Sequence, residues 1–174
     1  MKLIKEWFRI RVLGNDAYAN FEILEGNGIA LNKQFRKLYV VLADVKGKEE
    51  CWYVGEADTD IKTRFQRSFY AYRHYKRLEK KVQGGYIGYK WIEPASKLKS
   101  IRVLVVTFSE AELIRKTLEA VEGQLVYMVR NHTGLWPLWQ NEIHFWNECE
   151  EYETTGTKAI AEEIFNEVFI SKHN

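Results

Sequence analysis

Residues 37–65, KLYVVLADVKGKEECWYVGEADTDIKTRF, decide the fold. They open with LYVVLADV, a run of β-branched and apolar side chains that is typical of a buried strand. A second strand-like run, CWYVG, follows after a turn around Gly47. Two such runs joined by a short turn predict a β-hairpin.

A basic amphipathic helix is predicted directly after this hairpin, from about residue 59 to about residue 82. Asp58 or Thr59 can serve as its N-cap, since short polar side chains satisfy the free backbone N–H groups of a first turn. The side chains expected to face the core recur at helical spacing: Ile61, Phe65, Phe69 and Tyr72.

The remaining segments complete a predicted α+β fold. The apolar run SIRVLVVTF, residues 100–108, is typical of a central strand. Ser109 and Glu112 form a capping box for a helix ending near residue 131, and a last helix is predicted over about 157–170. We therefore expect an α/β protein of the α+β type with a small three-stranded antiparallel sheet flanked by helices.

The predicted organisation is one globular unit with two extensions. Residues 1–36 are expected to form a hairpin-like N-terminal extension around Gly14, and residues 37–142 the main domain. Residues 143–174 would be an acidic, helical C-terminal extension. A chain of 174 residues with 46% hydrophobic and 29% charged side chains is typical of one folded domain and excludes a disordered protein.

The formal net charge of +2 conceals an uneven distribution. Residues 61–103 carry twelve basic side chains against two acidic ones, a local net charge of +10. Residues 142–174 carry eight glutamates against two lysines, a net charge of −6. The basic stretch is interleaved with aromatic residues, which favours contact with phosphates and bases, although such a stretch can also be a solvated helix face.

The two cysteines, Cys51 and Cys149, have neither metal-ligand spacing nor the density of a disulfide scaffold. A reducing compartment is therefore the simpler expectation, with a single bridge as the alternative. The sequence contains no apolar run of membrane-spanning length, and its charged start does not resemble a secretory signal. We expect a cytoplasmic protein with no membrane partner.

The spacing of several residues resembles the GIY-YIG nuclease family. The tyrosine of KLYVV stands where the family has GIY, WYVG stands where it has YIG, and an arginine follows nine residues after that glycine. The hairpin and first helix look closest to the amino-terminal incision domain of the bacterial nucleotide-excision-repair nuclease. Lys37 and Leu38 replace the Gly-Ile of the family motif. The residues that carry the resemblance are Tyr39, Tyr53, Gly55, Arg64, Glu122 and Asn141.

This resemblance implies a metal-dependent DNA endonuclease that uses Mg²⁺ or Mn²⁺. Arg64 suits the neutralisation of a phosphate, because guanidinium stays charged and presents a planar fork. Glu122 can anchor a hard cation, with Glu119 as its rival one turn earlier. Tyr39 would be the general base if positive charge lowers the pKa of its phenol, and Tyr53 would orient water or phosphate.

The same stretch supplies the residues expected to contact nucleic acid. They are Gly55, Lys62, Arg67, Arg73, His74, Lys76, Arg77, Lys80, Lys81, Lys90 and Asn141. DNA is the expected partner, with RNA left open, and a double-strand cut by one active site would favour a homodimer.

Two other functions remain open from the sequence. The chain could be a nucleic-acid-binding domain of the same fold without catalysis, or a protein-interaction domain that uses its acidic C-terminal part.

Overall fold

The computed structural model describes residues 3–26, 36–78, 88–108, 115–140 and 156–171. These residues form five strands: β1 Leu3–Leu13, β2 Asn20–Glu25, β3 Lys37–Val45, β4 Lys48–Ala57 and β5 Ile101–Phe108. They also form four helices: α1 Ile61–Arg77, α2 Ile92–Ala95, α3 Arg115–Thr133 and α4 Thr157–Phe165, which continues into a π-helical turn at Asn166–Ile170. The predicted α+β class is confirmed.

All five strands belong to one antiparallel sheet, in the order β2-β1-β5-β3-β4. The prediction of three strands was therefore wrong. The N-terminal hairpin does form around Gly14, but its strand β1 pairs along β5, with Trp7 opposite Leu104. Phe8, Ile10 and Val12 of β1 are buried, so this hairpin extends the sheet and its core.

The sheet buries side chains on both faces, which explains the continuous apolar runs of its inner strands. Strand β5 lies in the middle of the five strands, as predicted. One face packs with side chains of α1 and α2: Tyr39, Val41, Tyr53, Val103 and Val105. The other face packs with side chains of α3 and α4: Leu38, Val40, Val54, Leu104 and Val106.

The predicted hairpin of β3 and β4 turns at Lys46 and Gly47, which have φ values of 58° and 82°. Asp44 Oδ1 accepts a hydrogen bond of 2.7 Å from the Gly47 backbone N–H and stabilises this turn. A register shift between Val41 and Leu42 marks a bulge in the pairing, beyond which Tyr53 lies opposite Val41.

The N-cap of helix α1 lies one residue after Thr59 and two after Asp58, the two predicted caps. This N-cap is Asp60, whose Oδ1 accepts a hydrogen bond of 2.8 Å from the Thr63 backbone N–H. The predicted inward residues of this helix are all buried. Helix α1 ends at Arg77, and the rest of its predicted span, 79–82, lies outside the described residues, as does the capping box at Ser109 and Glu112.

Candidate active site

Tyr39 and Gly55 lie opposite each other in the β3–β4 ladder. A Cβ atom on Gly55 would lie 2.9 Å from the Tyr39 hydroxyl oxygen and 2.5 Å from Cε1 of Tyr53. The rings of Tyr39 and Tyr53 are in contact, with centroids 5.9 Å apart. Gly55 is therefore required by the close approach of two tyrosine side chains, because any larger residue would displace them.

Arg64 reaches this pair of tyrosines from the second turn of α1. Its Nε donates a long hydrogen bond of 3.4 Å to the Tyr39 hydroxyl. Tyr39 is fully buried, whereas Arg64 is only partly buried. Arg64 is thus the more exposed of these two hydrogen-bonded residues.

Glu122 approaches the same strand edge from α3, on the other face of the sheet. Loss of water around its carboxyl raises the pKa of Glu122 to about 8, and the negative charges of Glu56 and Glu119 act in the same direction. The charge of Arg64 and a hydrogen bond from Gln140 oppose this rise in pKa. A carboxyl of this pKa is mostly protonated at neutral pH unless a cation occupies its surroundings.

Gln140 holds Glu122 against the hairpin, a role that the sequence did not indicate. Its Nε2 donates a 3.1 Å hydrogen bond to Glu122 Oε1, and its Oε1 accepts a 3.0 Å hydrogen bond from the Val54 backbone N–H. The predicted contact residue Asn141 lies outside the described residues. Gln140, the residue before Asn141, links the carboxyl group of Glu122, the predicted metal ligand, to strand β4, which carries Tyr53 and Gly55.

A cluster of ion pairs borders the site. Arg115 Nε lies 2.7 Å from Glu119 Oε1 and 3.4 Å from Glu56 Oε1. Glu119, the rival of Glu122, is thus held in an ion pair on its own helix. Burial raises the pKa of Glu56, whereas Arg36 and Arg115 lower it. Glu56 was not predicted as a residue of the site, although it directly follows Gly55 on β4.

Lys37, which departs from the family motif, has a structural role. Its side chain is fully buried, and its Nζ donates a 3.1 Å hydrogen bond to the Thr59 carbonyl. Burial lowers the pKa of Lys37, while the nearby Asp60 raises it. Lys37 therefore fastens β3 to the loop that caps α1, next to the candidate site.

The predicted nucleic-acid contacts fall into two groups. Lys62, Arg67, His74 and Arg77 have exposed side chains on α1, a helix with no acidic residue. Of these four, Arg67 forms an exposed ion pair of 3.4 Å with Asp58. In the second group, Arg73 donates a 2.8 Å hydrogen bond to the Ala19 carbonyl, and Lys76 lies 3.1 Å from Asp16 and 2.9 Å from Glu93. Lys90 is partly buried, and Lys80 and Lys81 lie outside the described residues.

Within the described residues, no three His, Cys, Asp or Glu side chains form a group that could hold a metal ion. No helix among the described residues is long and apolar enough to span a membrane. Comparison with known proteins finds no match for this chain among protein-family models, curated proteins or solved structures.

Proposed function

We propose that this protein is a metal-dependent endonuclease that hydrolyses phosphodiester bonds in DNA. The proposal rests on the contact between Arg64 and Tyr39, whose hydroxyl lies against Gly55. Glu122 approaches the same strand from the other face of the sheet, where it accepts a hydrogen bond from Gln140. The charge of Arg64 also lowers the pKa of Glu122, against a larger rise caused by burial. The family resemblance of the sequence points to the same residues.

Arg64 is the group proposed to bind the scissile phosphate. Its guanidinium is partly exposed, and its Nε donates a long hydrogen bond of 3.4 Å to the Tyr39 hydroxyl. A guanidinium group has five N–H donors in a planar fork that matches phosphate oxygens. Charge-assisted hydrogen bonds from guanidinium stabilise the negative charge that grows on those oxygens during hydrolysis.

Glu122 is the proposed ligand of a magnesium or manganese ion. Oxygen ligands suit both ions, and Mg²⁺ retains several waters when it is held by one or two carboxylates and a substrate phosphate. A bound divalent ion supplies a water of lowered pKa and neutralises phosphate charge. Burial is the main cause of the raised pKa of Glu122, and the charges of Glu56 and Glu119 add to it. A bound cation would favour the ionised carboxylate against these effects.

Tyr39 is the proposed general base, on the condition that water can reach its buried hydroxyl. The Arg64 guanidinium favours the ionised phenol, and so does a metal ion held nearby. Tyr39 has no exposed surface, so water reaches its hydroxyl only after the surrounding side chains move. Tyr53, which is almost buried, is proposed to support the Tyr39 ring and orient the phosphate.

Nucleic-acid binding without cleavage is the second candidate function. It is favoured by α1 itself, which combines exposed cations with the absence of any acidic residue. Such a helix attracts a polyanion whether or not the carboxylate holds a metal.

A plasmid-nicking assay separates the two functions. Purified protein is incubated with supercoiled DNA with and without Mg²⁺ or Mn²⁺, beside Arg64→Ala and Glu122→Gln. Arg130→Ala and Glu162→Gln, both at exposed helix positions, are the matched controls. Metal-dependent nicking that is lost in the two site variants and kept in the two controls supports the nuclease. Salt-sensitive DNA binding without nicking supports the binding domain.

A further inference from the structure

A cleft of about 380 Å³ opens on the flank of α1 that carries Arg64. Tyr75 lines it and lies eleven residues after Arg64, so both side chains leave the helix on the same flank, about 16 Å apart along its axis. Trp139 lines the cleft from the other side and directly precedes Gln140, which holds Glu122. The Trp139 backbone N–H donates a 2.8 Å hydrogen bond to the Trp52 carbonyl, next to Tyr53. The cleft therefore adjoins the candidate active site through two chain segments.

The walls of this cleft are mainly aromatic. Tyr89 lies between Tyr75 and Tyr72, with ring centroids 5.6 Å and 6.5 Å away, respectively. The indole Nε1 of Trp139 is enclosed and donates no hydrogen bond among the described residues. A buried donor without an acceptor is unfavourable, so Trp139 carries an energetic cost next to this cleft.

The rim of the cleft is positively charged. Lys97 is exposed and Lys90 is partly buried, and both line the opening. The one acidic residue there, Glu93, lies 2.9 Å from the ammonium of Lys76, which neutralises it. Aromatic walls with a cationic rim suit a planar ring that carries a phosphate.

We propose that this cleft binds one unpaired nucleobase of the DNA substrate, stacked on the partly exposed ring of Tyr75, with Lys97 at its phosphate. The buried ring of Tyr89 packs against Tyr75 and supports it. The inference rests on the proposed function and names its substrate class: DNA with an unpaired or easily extruded nucleotide close to the scissile phosphate. A base inside a duplex is stacked on its neighbours, so it reaches the faces of protein aromatic rings only when it leaves the helix.

The test measures binding in the absence of divalent metal, so that cleavage plays no part. Three fluorescently labelled duplexes are compared by anisotropy: one fully paired, one with a single unpaired thymine, and one with an abasic residue at that place. We expect the unpaired thymine to bind about 5- to 150-fold more tightly than the abasic duplex, as stacking on one aromatic residue supplies. Equal affinities for these two duplexes would overturn the proposal.

Variants then locate the base. Tyr75→Ala should reduce the preference for the unpaired thymine, whereas Tyr75→Phe should keep it. Lys97→Glu should weaken binding of the thymine and abasic duplexes alike, because both carry the phosphate that Lys97 is proposed to contact. The matched control is Tyr70→Ala, because Tyr70 lies on the same helix outside the cleft and is 67% exposed. A preference that survives Tyr75→Ala, an affinity that Lys97→Glu leaves unchanged, or a preference that Tyr70→Ala abolishes, counts against the cleft.

Photocrosslinking keeps the proposal testable if Tyr75→Ala fails to fold. A 5-iodouracil at the unpaired position should crosslink wild-type protein at Tyr75, Tyr89 or Trp139, as mapped by mass spectrometry. A crosslink at Tyr70 instead would overturn the assignment. The two proposals fail separately: crosslinking in the cleft without metal-dependent nicking contradicts only the nuclease, and nicking without a cleft crosslink contradicts only the base-binding cleft.

Discussion

At the scale of single residues, Gly55 is the position with the least freedom in the candidate site. Gly55→Ala would bring its methyl group to 2.5 Å from Tyr53 and 2.9 Å from the Tyr39 hydroxyl. Overpacking of this kind destabilises a protein by about 1–3 kcal/mol, and here it also displaces the partner of Arg64. We expect a lower free energy of unfolding in urea and loss of nicking. Gly47→Asn, at an open turn position with positive φ, should change both far less.

Glu122 gives a prediction about pH and stability. In the folded chain the pKa of Glu122 is about 8, against an ordinary value of 4.5, so the native state holds a proton that the unfolded chain has lost. Without metal, this group makes stability fall as pH rises from about 4.5 to about 8, after which its contribution is constant. Glu122→Gln should remove that slope, gaining a few kcal/mol above pH 8 relative to wild type. The measurement is urea unfolding across this pH range in EDTA. Identical pH profiles for the two proteins would contradict the assigned pKa, and Glu162→Gln serves as the control.

At the scale of elements, the cap of α1 determines where Arg64 points. Asp60→Ala removes the side-chain acceptor of the Thr63 N–H and should cost about 1 kcal/mol of stability. It should also lower nicking, since Arg64 begins the next turn. Asp58→Ala is the matched control, because Asp58 makes only an exposed ion pair with Arg67, of the kind that contributes little. A larger loss of stability in Asp58→Ala, measured by thermal unfolding, would contradict this account of the cap.

The elements also show which parts of the fold the sequence could predict. The β3–β4 hairpin, the buried face of α1 and the central strand β5 were predicted because their signals are local: apolar runs, helical spacing and a turn at Gly47. The pairing of β1 with β5 was missed because its partners, such as Trp7 and Leu104, are almost a hundred residues apart in the chain. The two hydrogen bonds of Gln140 were not predicted either, because a single glutamine forms no periodic pattern in the sequence.

At the scale of the whole molecule, glutamates of the acidic C-terminal part contact strand β1. Glu163 and Glu167 of the C-terminal part lie 2.9 Å and 3.4 Å from the Lys5 ammonium on β1. Trp7 Nε1 also donates a 3.3 Å hydrogen bond to Glu167. These contacts join the end of the chain to its first strand. They give two of the glutamates expected to bind a protein partner a role within the fold.

The exposed cations of α1 lead to a prediction about salt. If DNA phosphates lie along α1, each contact that is lost should reduce the slope of log affinity against log salt by about 0.9. We expect Lys62→Gln and Arg67→Gln each to weaken binding and to flatten that slope by about one contact. Lys48→Gln should change neither, because Lys48 is exposed at the turn of the hairpin, at the end away from α1. The measurement is a series of anisotropy titrations at increasing salt without divalent metal. Equal slopes in wild type and in both α1 variants would mean that DNA binds elsewhere, which would remove the support that this helix gives to the proposed function.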